Sequence, residues 1–289
     1  MKIASLFGQG KTVFSFEIFP PKKTSSVETI YNTLEELKDL KPDFISVTYG
    51  AGGTMTEAGR SKTCEIASII KNKYNITPVA HLACVISTKE QVRAELDSLK
   101  ENGIENILAL RGDINPDVPR CNDFAYASDL VAFIKEHGDF GISGACYPEV
   151  HADAENMVQD ILNLKKKVDA GASHLMSQLF FDNNYFFDFL EKARIAGVNV
   201  PIEAGIMPVT NKSQIERMVT MCGASLPQKF ARTMQRFENN PEALRDAGIA
   251  YAIDQIVDLI SNGVEGIHLY TMNNPYVARK ISEAVSNLL

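Results

Sequence analysis

The chain alternates short β-rich runs with amphipathic helical segments from end to end, and this alternation constrains its fold more than any other feature. Eight runs are short, largely apolar and bounded by turn residues, as buried strands are. They cover residues 13–20, 43–49, 77–84, 105–112, 140–148, 174–181, 201–208 and 266–272. Between them, segments such as 89–103 and 154–171 place apolar residues at three- and four-residue spacing and end on glycine, which predicts helices. The last segment, 274–289, predicts an eighth helix.

Eight βα units in 289 residues predict an α/β fold, a TIM (β/α)8 barrel that forms one catalytic domain over residues 1–289. An open doubly wound sheet is the alternative, but it normally carries a G-x-G-x-x-G turn after its first strand. Here the first strand ends in Pro20-Pro21, and a glycine-rich loop follows the second strand instead. The long segment 211–263 predicts an insertion of two or three helices before the eighth strand.

Composition excludes several classes of function. The chain is 45% hydrophobic and 22% charged, with a net charge of -7 and a pI near 5.4. These values are typical of a soluble globular protein and lack the basic surface that nucleic acid or anionic lipid needs. No run approaches the roughly 18 apolar residues of a membrane span, and the apolar patch before Gly8 is too short for a signal peptide. Five widely spaced cysteines without a C-x-x-C pair fit a reducing compartment, so we expect a cytoplasmic protein with small-molecule partners.

Polar residues cluster near the predicted carboxyl ends of the strands, where the active site of a barrel lies. They are Glu17, Thr48, Tyr49, His81, Arg111, Asp113, Tyr147, Glu149, His151, Gln178, Glu203, His268 and Tyr270. Glu17 is the most unusual of them, because glutamate is depleted from strands and this one stands in an otherwise apolar run. Strict alternation places it on the face of Ser15, opposite Phe14 and Phe16. A single strand histidine or acid is ordinarily a core residue, but so many polar groups at one rim indicate a ligand site.

Some chemistries lack their usual residues. None of the eight runs contains a lysine, so a Schiff-base mechanism has no evident nucleophile. The first strand has no H-x-H pair, and a metal site of His81, Asp113 and His151 would need their convergence to be assumed. A metal-dependent hydrolase therefore stays an alternative, while the mixed polar rim favours an organic cofactor and no metal.

Motifs at the strand ends match one family. SFEIFPP, SVTYGAGG, AHLAC, ALRGD, YPEVH, QLFFD, GIMPVTN and HLYTMN, in this order from about residue 12 to the end, resemble the flavin-dependent methylenetetrahydrofolate reductases of bacteria. The resemblance implies a TIM barrel that binds FAD. It also implies a ping-pong reaction in which NADH or NADPH reduces the flavin, which then reduces methylenetetrahydrofolate to methyltetrahydrofolate, a step of one-carbon metabolism that supplies methionine biosynthesis. Family members often form dimers or tetramers, so we expect a homo-oligomer.

The resemblance also assigns roles to residues. Glu17 would be the general acid that protonates folate N10, and Asp113 would face both the pterin and the flavin. The substrate contacts implied are Glu17, Thr48, Asp113, Gln178 and Gln214. The FAD cradle implied is Tyr49, Ala51, His81, Arg111, Gly112, Asp113, Tyr126, Ala127, Tyr147, His151, Ala154, Asp160, Asn163, Lys166 and Lys167. One departure is Asn274, which stands where many relatives have an arginine that would hold the folate tail.

A rival interpretation belongs to another class of protein: a flavin-carrying electron-transfer subunit of a larger complex. The presence of both Glu17 and Gln178 speaks against it, because an electron relay needs no acid for folate.

Overall fold

Eight parallel strands close into a barrel in chain order, with β8 hydrogen-bonded to β1. The structure is a computed structural model and describes residues 1–21, 28–49, 57–114 and 118–289. The strands are β1 Val13–Ile18, β2 Phe44–Val47, β3 Thr77–Ala83, β4 Asn106–Leu110, β5 Gly141–Cys146, β6 His174–Ser177, β7 Ile202–Ile206 and β8 Gly266–Tyr270. The predicted TIM barrel is confirmed. The observed strands are shorter than predicted because the last residues of most predicted runs leave the sheet and belong to the rim loops.

Helices surround the barrel. They are α1 Glu28–Leu37, α2 Glu57–Tyr74, α3 Lys89–Glu101, α4 Ala127–His137, α5 Met157–Ala170, α6 Asn183–Ile195, α7 Lys212–Cys222, α8 Gln228–Phe237, α9 Pro241–Ser261 and α10 Pro275–Val285. Three of them, α7 to α9, occupy the predicted insertion before β8, which confirms the upper count of two or three. None of the helices in the described ranges is both long enough and apolar enough to cross a membrane.

The two faces of each strand have different environments, as β1 shows. Phe14 and Phe16 point outward into the large apolar layer between the strands and the helices. Ser15 points into the barrel, where its hydroxyl meets side chains of β7 and β8. The register continues this pattern, since Glu17 pairs with Tyr270 of β8 two residues further along. The alternation predicted for β1 is therefore confirmed, and Glu17 lies on the inner face.

An apolar plug closes the amino-terminal end of the barrel. Ile3, from a short 3-10 helix over Ile3–Leu6, packs with Phe7 and with the inward-facing Val13 and Phe44. Asn106 at the start of β4 ties this segment down, because its side chain accepts from the backbone N–H of Ile3 at 2.9 Å. The barrel is thus dry and packed at its floor, and its open end is the carboxyl rim.

We expect Gly248→Ala to destabilise the protein although it replaces glycine inside a helix. Helix propensity alone would favour alanine by about 1 kcal/mol. A Cβ at Gly248 on α9, however, would overlap the carbonyl group of Val209, in the loop after β7, so the helix must move away from that loop. The free energy of unfolding, measured with urea, should fall by about 1–3 kcal/mol.

The matched control is Ala250→Gly at an exposed position of the same helix. It should cost only the propensity difference of about 1 kcal/mol. A Gly248→Ala protein that is as stable as the wild type, or more stable, would contradict the packing argument.

Candidate active site

A cavity of about 820 Å³ opens at the carboxyl rim of the barrel. Its size suits a bound organic molecule. The cavity brings together nearly all the residues that the sequence assigned to the site: Glu17, Thr48, Tyr49, His81, Arg111, Gly112, Asp113, Tyr126, Ala127, Tyr147, His151, Ala154, Asp160, Asn163, Lys166, Lys167 and Gln178. Ala51, the remaining residue of the predicted FAD cradle, lies outside the described residues.

Glu17 stands at the inner end of β1, where the barrel interior meets the cavity. Its side chain is 16% exposed, and Oε2 lies 3.5 Å from Nε2 of His81 and 3.6 Å from Nε2 of His268. Burial raises the pKa of the Glu17 carboxyl, and the neighbouring His81 opposes part of that rise. The group is therefore a carboxylic acid that keeps its proton at higher pH than an exposed glutamate and still reaches the cavity.

The two imidazoles beside Glu17 are neutral near pH 7. Burial lowers the pKa of His81 to about 4 and that of His268 to about 4. Within the described part of the chain, Nε2 of His81 is buried and makes no hydrogen bond. Since an unsatisfied buried polar atom is costly, this nitrogen fits a site in which a bound molecule supplies the missing partner.

Positive charge collects along one side of the cavity. Arg111, directly after β4, donates from Nη2 to Oδ2 of Asp153 at 2.6 Å. Lys167 on α5 is half-buried and donates to the carbonyl of Ala145, and desolvation lowers the pKa of its ammonium group. Lys166, one residue earlier, is exposed and donates to Oδ1 of Asn163 at 3.2 Å. Arg and Lys groups in this arrangement suit phosphate oxygens.

The loop after β5 is fixed by hydrogen bonds and a ring contact. Asp160 on α5 accepts the backbone N–H of His151 at 2.9 Å. The rings of Tyr147 and His151 meet edge to face, with centroids 4.5 Å apart. Burial raises the pKa of the Tyr147 phenol, which therefore stays protonated. This loop presents rigid aromatic surface to the cavity beside the cations.

Two polar side chains, one directly after β6 and one at the end of β8, are held in one orientation. Oε1 of Gln178 accepts the backbone N–H of Leu179 at 2.9 Å. The Tyr270 hydroxyl donates to the carbonyl of Ser177 at 2.7 Å. Both line the cavity, and Tyr270 lies beside Glu17 in the register of β1 and β8.

Some residues lie elsewhere than the sequence suggested. Glu203 and His268, read as rim residues, are fully buried inside the barrel below the cavity. Glu149 accepts the backbone N–H of Ser225 at 2.8 Å. Gln214 on α7 does not line the cavity, and its Oε1 accepts from the backbone N–H of Thr210 at 2.8 Å. Its contact with folate stays a prediction.

Asn274, the departure from the family pattern, has a structural role. It is the N-cap of α10, and its Oδ1 accepts the backbone N–H of Val277 at 3.3 Å. Asparagine is among the preferred N-cap residues. The local geometry therefore explains an asparagine at this position.

The cavity also contains residues that sequence reasoning did not assign to the site. Asp153 pairs with Arg111. Met207, directly after β7, and Met218 and Cys222 on α7 add largely apolar surface. The first had a signal, an acid two residues after His151. The α7 residues had none, because Gln214 was the one residue of the insertion that the resemblance assigned to the site.

Comparison with known proteins gives consistent results. The sequence model of a family described as methylenetetrahydrofolate reductase matches residues 2–286. The chain is 38% identical over 265 residues to the 5,10-methylenetetrahydrofolate reductase of Escherichia coli, covering 92% of this chain and 88% of that protein. It is 37% identical over 270 residues to the corresponding protein of Pectobacterium carotovorum, covering 92% and 87%. It is also 37% identical to methylenetetrahydrofolate reductase (NADH) 1 of Arabidopsis thaliana, but spans only 48% of that longer protein.

A solved structure of tryptophan synthase from M. tuberculosis resembles this one in fold alone. The TM-score is 0.54 at 12% sequence identity, covering 96% of this chain and 94% of that one.

We expect Glu17→Gln to stabilise the folded protein increasingly as the pH rises. The pKa of Glu17 is raised on folding, so its favourable contribution is complete below the ordinary glutamate pKa and is lost as the pH rises through the folded pKa. Each unit of raised pKa corresponds to about 1.4 kcal/mol, and glutamine avoids the ionisation. Urea unfolding at about pH 5 and about pH 8 should show a larger gain for the variant at the higher pH.

The control is Glu136→Gln, which alters an exposed acid on the outer helix α4. Its effect on the free energy of unfolding should be small at both pH values. A gain for Glu17→Gln that is constant or shrinks between the two would show that the acid is not destabilised by burial.

Proposed function

The chain belongs to the methylenetetrahydrofolate reductase family, and from that premise we propose that it binds FAD and reduces 5,10-methylenetetrahydrofolate to 5-methyltetrahydrofolate with NADH or NADPH. The observation that carries the proposal is an acid with a raised pKa, Glu17, at the edge of a large cavity whose other side is cationic. The protein is thus an oxidoreductase of a known family, and the proposal concerns its cofactor, electron donor and acid.

The cavity fits FAD by the chemistry of its side chains. Arg111, Lys166 and Lys167 would hold the pyrophosphate, and Tyr147 with His151 would pack against the flavin. The unsatisfied Nε2 of His81 offers a buried polar contact. When bound, FAD would accept hydride from a nicotinamide and pass it to the folate, chemistry that side chains do not supply.

Glu17 would donate a proton to N10 of methylenetetrahydrofolate. Loss of the C–N bond at N10 opens the bridging ring and leaves an iminium at N5 of the folate, which is the hydride acceptor. A general acid must hold its proton near the working pH and release it on demand, and the burial of Glu17 favours that state. His81 offsets only part of the effect of burial on the Glu17 pKa, because burial keeps both His81 and His268 largely neutral near pH 7.

The other polar groups would bind and orient the substrates. Gln178, held by the backbone of Leu179, would contact the pterin and then the nicotinamide, and Thr48 would contact the nicotinamide. Use of one place by both substrates in turn supports a ping-pong order. Asp113, exposed in the cavity wall after β4, would orient the pterin and add negative charge near the flavin.

We also propose that the barrel over residues 1–289 is a single catalytic domain, that it works in the cytoplasm as a homo-oligomer, and that it serves methionine biosynthesis. The name of the Arabidopsis relative includes NADH, which supports a nicotinamide donor here. An electron-transfer subunit of a larger complex would not need Glu17 in a position to protonate a folate, so the reductase is the better supported function.

Glu17→Gln should separate the two half-reactions. The variant should keep its yellow colour and its flavin reduction by NADH within about twofold, because no proton from Glu17 enters that step. Flavin reoxidation by methylenetetrahydrofolate should slow by about 10²-fold or more, the usual contribution of a general acid. Anaerobic stopped-flow absorbance measures both steps.

Glu136→Gln, the exposed acid on α4, serves as the control and should retain both half-reactions. Loss of both half-reactions in Glu17→Gln, with flavin still bound, would contradict a role confined to folate protonation.

Asp113→Asn should raise the midpoint potential of the bound flavin by tens of millivolts, because it removes a negative charge that disfavours the electron-rich reduced cofactor. Spectroelectrochemical titration measures the potential. The control is Asp139→Asn, which removes an acid that pairs with Lys2 on the opposite end of the barrel. Equal potentials in the wild type and Asp113→Asn would remove the proposed tuning role.

A further inference from the structure

Polar side chains form a continuous series of contacts through the barrel interior, from its amino-terminal floor up to Glu17. Nε2 of His174 lies 3.2 Å from Oε2 of Glu203, and Oε1 of Glu203 lies 2.9 Å from the Ser15 hydroxyl. Ser15 Oγ lies 2.6 Å from Nδ1 of His268, whose Nε2 faces Glu17 at 3.6 Å. The mechanism proposed above uses Glu17 and gives no function to Glu203, at the other end of this series of contacts.

This arrangement is costly for a protein core. Barrel interiors are usually filled with branched apolar residues, whereas Glu203, His174 and His268 are each fully buried here. Aromatic rings close around them: Phe7 stacks on His174 at 4.9 Å, and Phe44 stacks on His268 at 6.2 Å between centroids. In such dry surroundings each hydrogen bond is strong and an unpaired group is heavily penalised, so the direction of each bond is well defined.

The number of available protons determines the direction of the hydrogen bonds that Ser15 makes with Glu203 and His268. Oε1 of Glu203 accepts the Ser15 hydroxyl, whereas Oε2 lies 3.2 Å from Nε2 of His174 without a hydrogen bond among the described residues. A hydroxyl has one proton, and Ser15 gives it to Glu203. The close contact of Ser15 with His268 must then be Nδ1–H donating to the Ser15 oxygen. His268, being neutral, has no proton left for Nε2.

An unprotonated Nε2 on His268 acts directly on Glu17. Its lone pair repels an ionised carboxylate oxygen and favours a protonated one that can share its hydrogen. The described titratable groups facing Glu17 are His81 on β3 and His268 and Tyr270 on β8. Tyr270 already donates to a backbone carbonyl, and the neighbouring β2 contributes Ser46, 3.4 Å from Nε2 of His268, which does not titrate.

We propose that Glu203 is a positioning residue for the acid. Through Ser15 it holds His268 in the Nδ1–H tautomer and so keeps the proton on Glu17. The tautomer is a property of the folded barrel, whereas its value for catalysis rests on the proposed function, in which that proton goes to the folate.

The tautomer can be measured without turnover. The chain has 5 histidines, so ¹⁵N-histidine NMR is tractable, and the His268 signals are those lost in His268→Asn. The wild type should show Nδ1–H. In Glu203→Met the Ser15 hydroxyl is free to donate to Nδ1, and the proton should move to Nε2. A wild type with Nε2–H, or a tautomer unchanged by Glu203→Met, would overturn the proposal.

The kinetic counterpart is the pH profile of the folate half-reaction. In Glu203→Met, an Nε2–H that points at Glu17 stabilises its carboxylate. The pH above which the folate half-reaction slows should therefore fall by about one unit. Near pH 8 the folate step of Glu203→Met should be about tenfold slower, while flavin reduction by NADH stays within about twofold. An altered tautomer with an unchanged profile would also overturn the proposal.

Further variants distinguish the proposed role of Glu203 from a general loss of folding. Ser15→Ala breaks the link between Glu203 and His268 and should shift the profile in the same direction. Glu203→Gln keeps the volume and a carbonyl acceptor for Ser15, so it should restore most of the wild-type profile. The control is Asn106→Ala, which removes an equally buried polar side chain of the barrel floor that bonds only Ile3 and Met1 among the described contacts. It should lower stability without moving the tautomer or the profile.

Different experimental results would refute the role proposed for Glu203 and the proposed function on which it rests. A wild type whose flavin is not reoxidised by methylenetetrahydrofolate refutes the proposed function and leaves the tautomer result intact. A wild type that turns over, with Glu203→Met, Ser15→Ala and Asn106→Ala all giving the wild-type profile, refutes only the role of Glu203.

Discussion

Burial of the Glu17 carboxyl at the inner end of β1 is the constraint on which the rest of the site depends. The two-residue period of the strand sends Phe14 and Phe16 into the apolar layer under the helices and turns Ser15 and Glu17 inward. Closure of the barrel then surrounds Glu17 with β3 and β8, whose imidazoles are themselves desolvated and neutral. An isolated strand of the same sequence would leave the acid hydrated and ionised at neutral pH.

Much of the fold followed from the sequence because it depends on local periodicity. The alternation of runs predicted the barrel and its insertion, and the strand ends predicted much of the polar lining of the cavity. The cavity residues Asp160, Asn163, Lys166 and Lys167 on α5 were implied by the family resemblance instead. Depth along the barrel axis was not predictable: Glu203 and His268 were read as rim residues but lie below the rim. Their level depends on the stagger between neighbouring strands, which the alternation of apolar residues does not encode. The asparagine at position 274, where many relatives have an arginine, could be explained only once its position as the N-cap of α10 was known.

The protein combines two environments that a single layer of side chains could not supply. The upper cavity is wide and partly cationic, as a large anionic cofactor requires, and it is lined by loops fixed through Asp160 and Asp153. The interior below is dry and holds a directed set of hydrogen bonds through Ser15 and His268. Glu17 stands where the two meet, and in the proposed mechanism the barrel below would hold its proton and the substrate above would receive it.

The most direct test of this account is the titration of Glu17 itself. In protein labelled with ¹³C at the glutamate side-chain carboxyl, the Glu17 resonance is the one absent from Glu17→Gln, and its shift can be followed across pH. The account predicts a midpoint above the ordinary glutamate value of about 4.5, because burial disfavours the charged form. A midpoint at or below that value would mean that Glu17 is ionised at neutral pH, and the protonated acid at the centre of the account would be wrong.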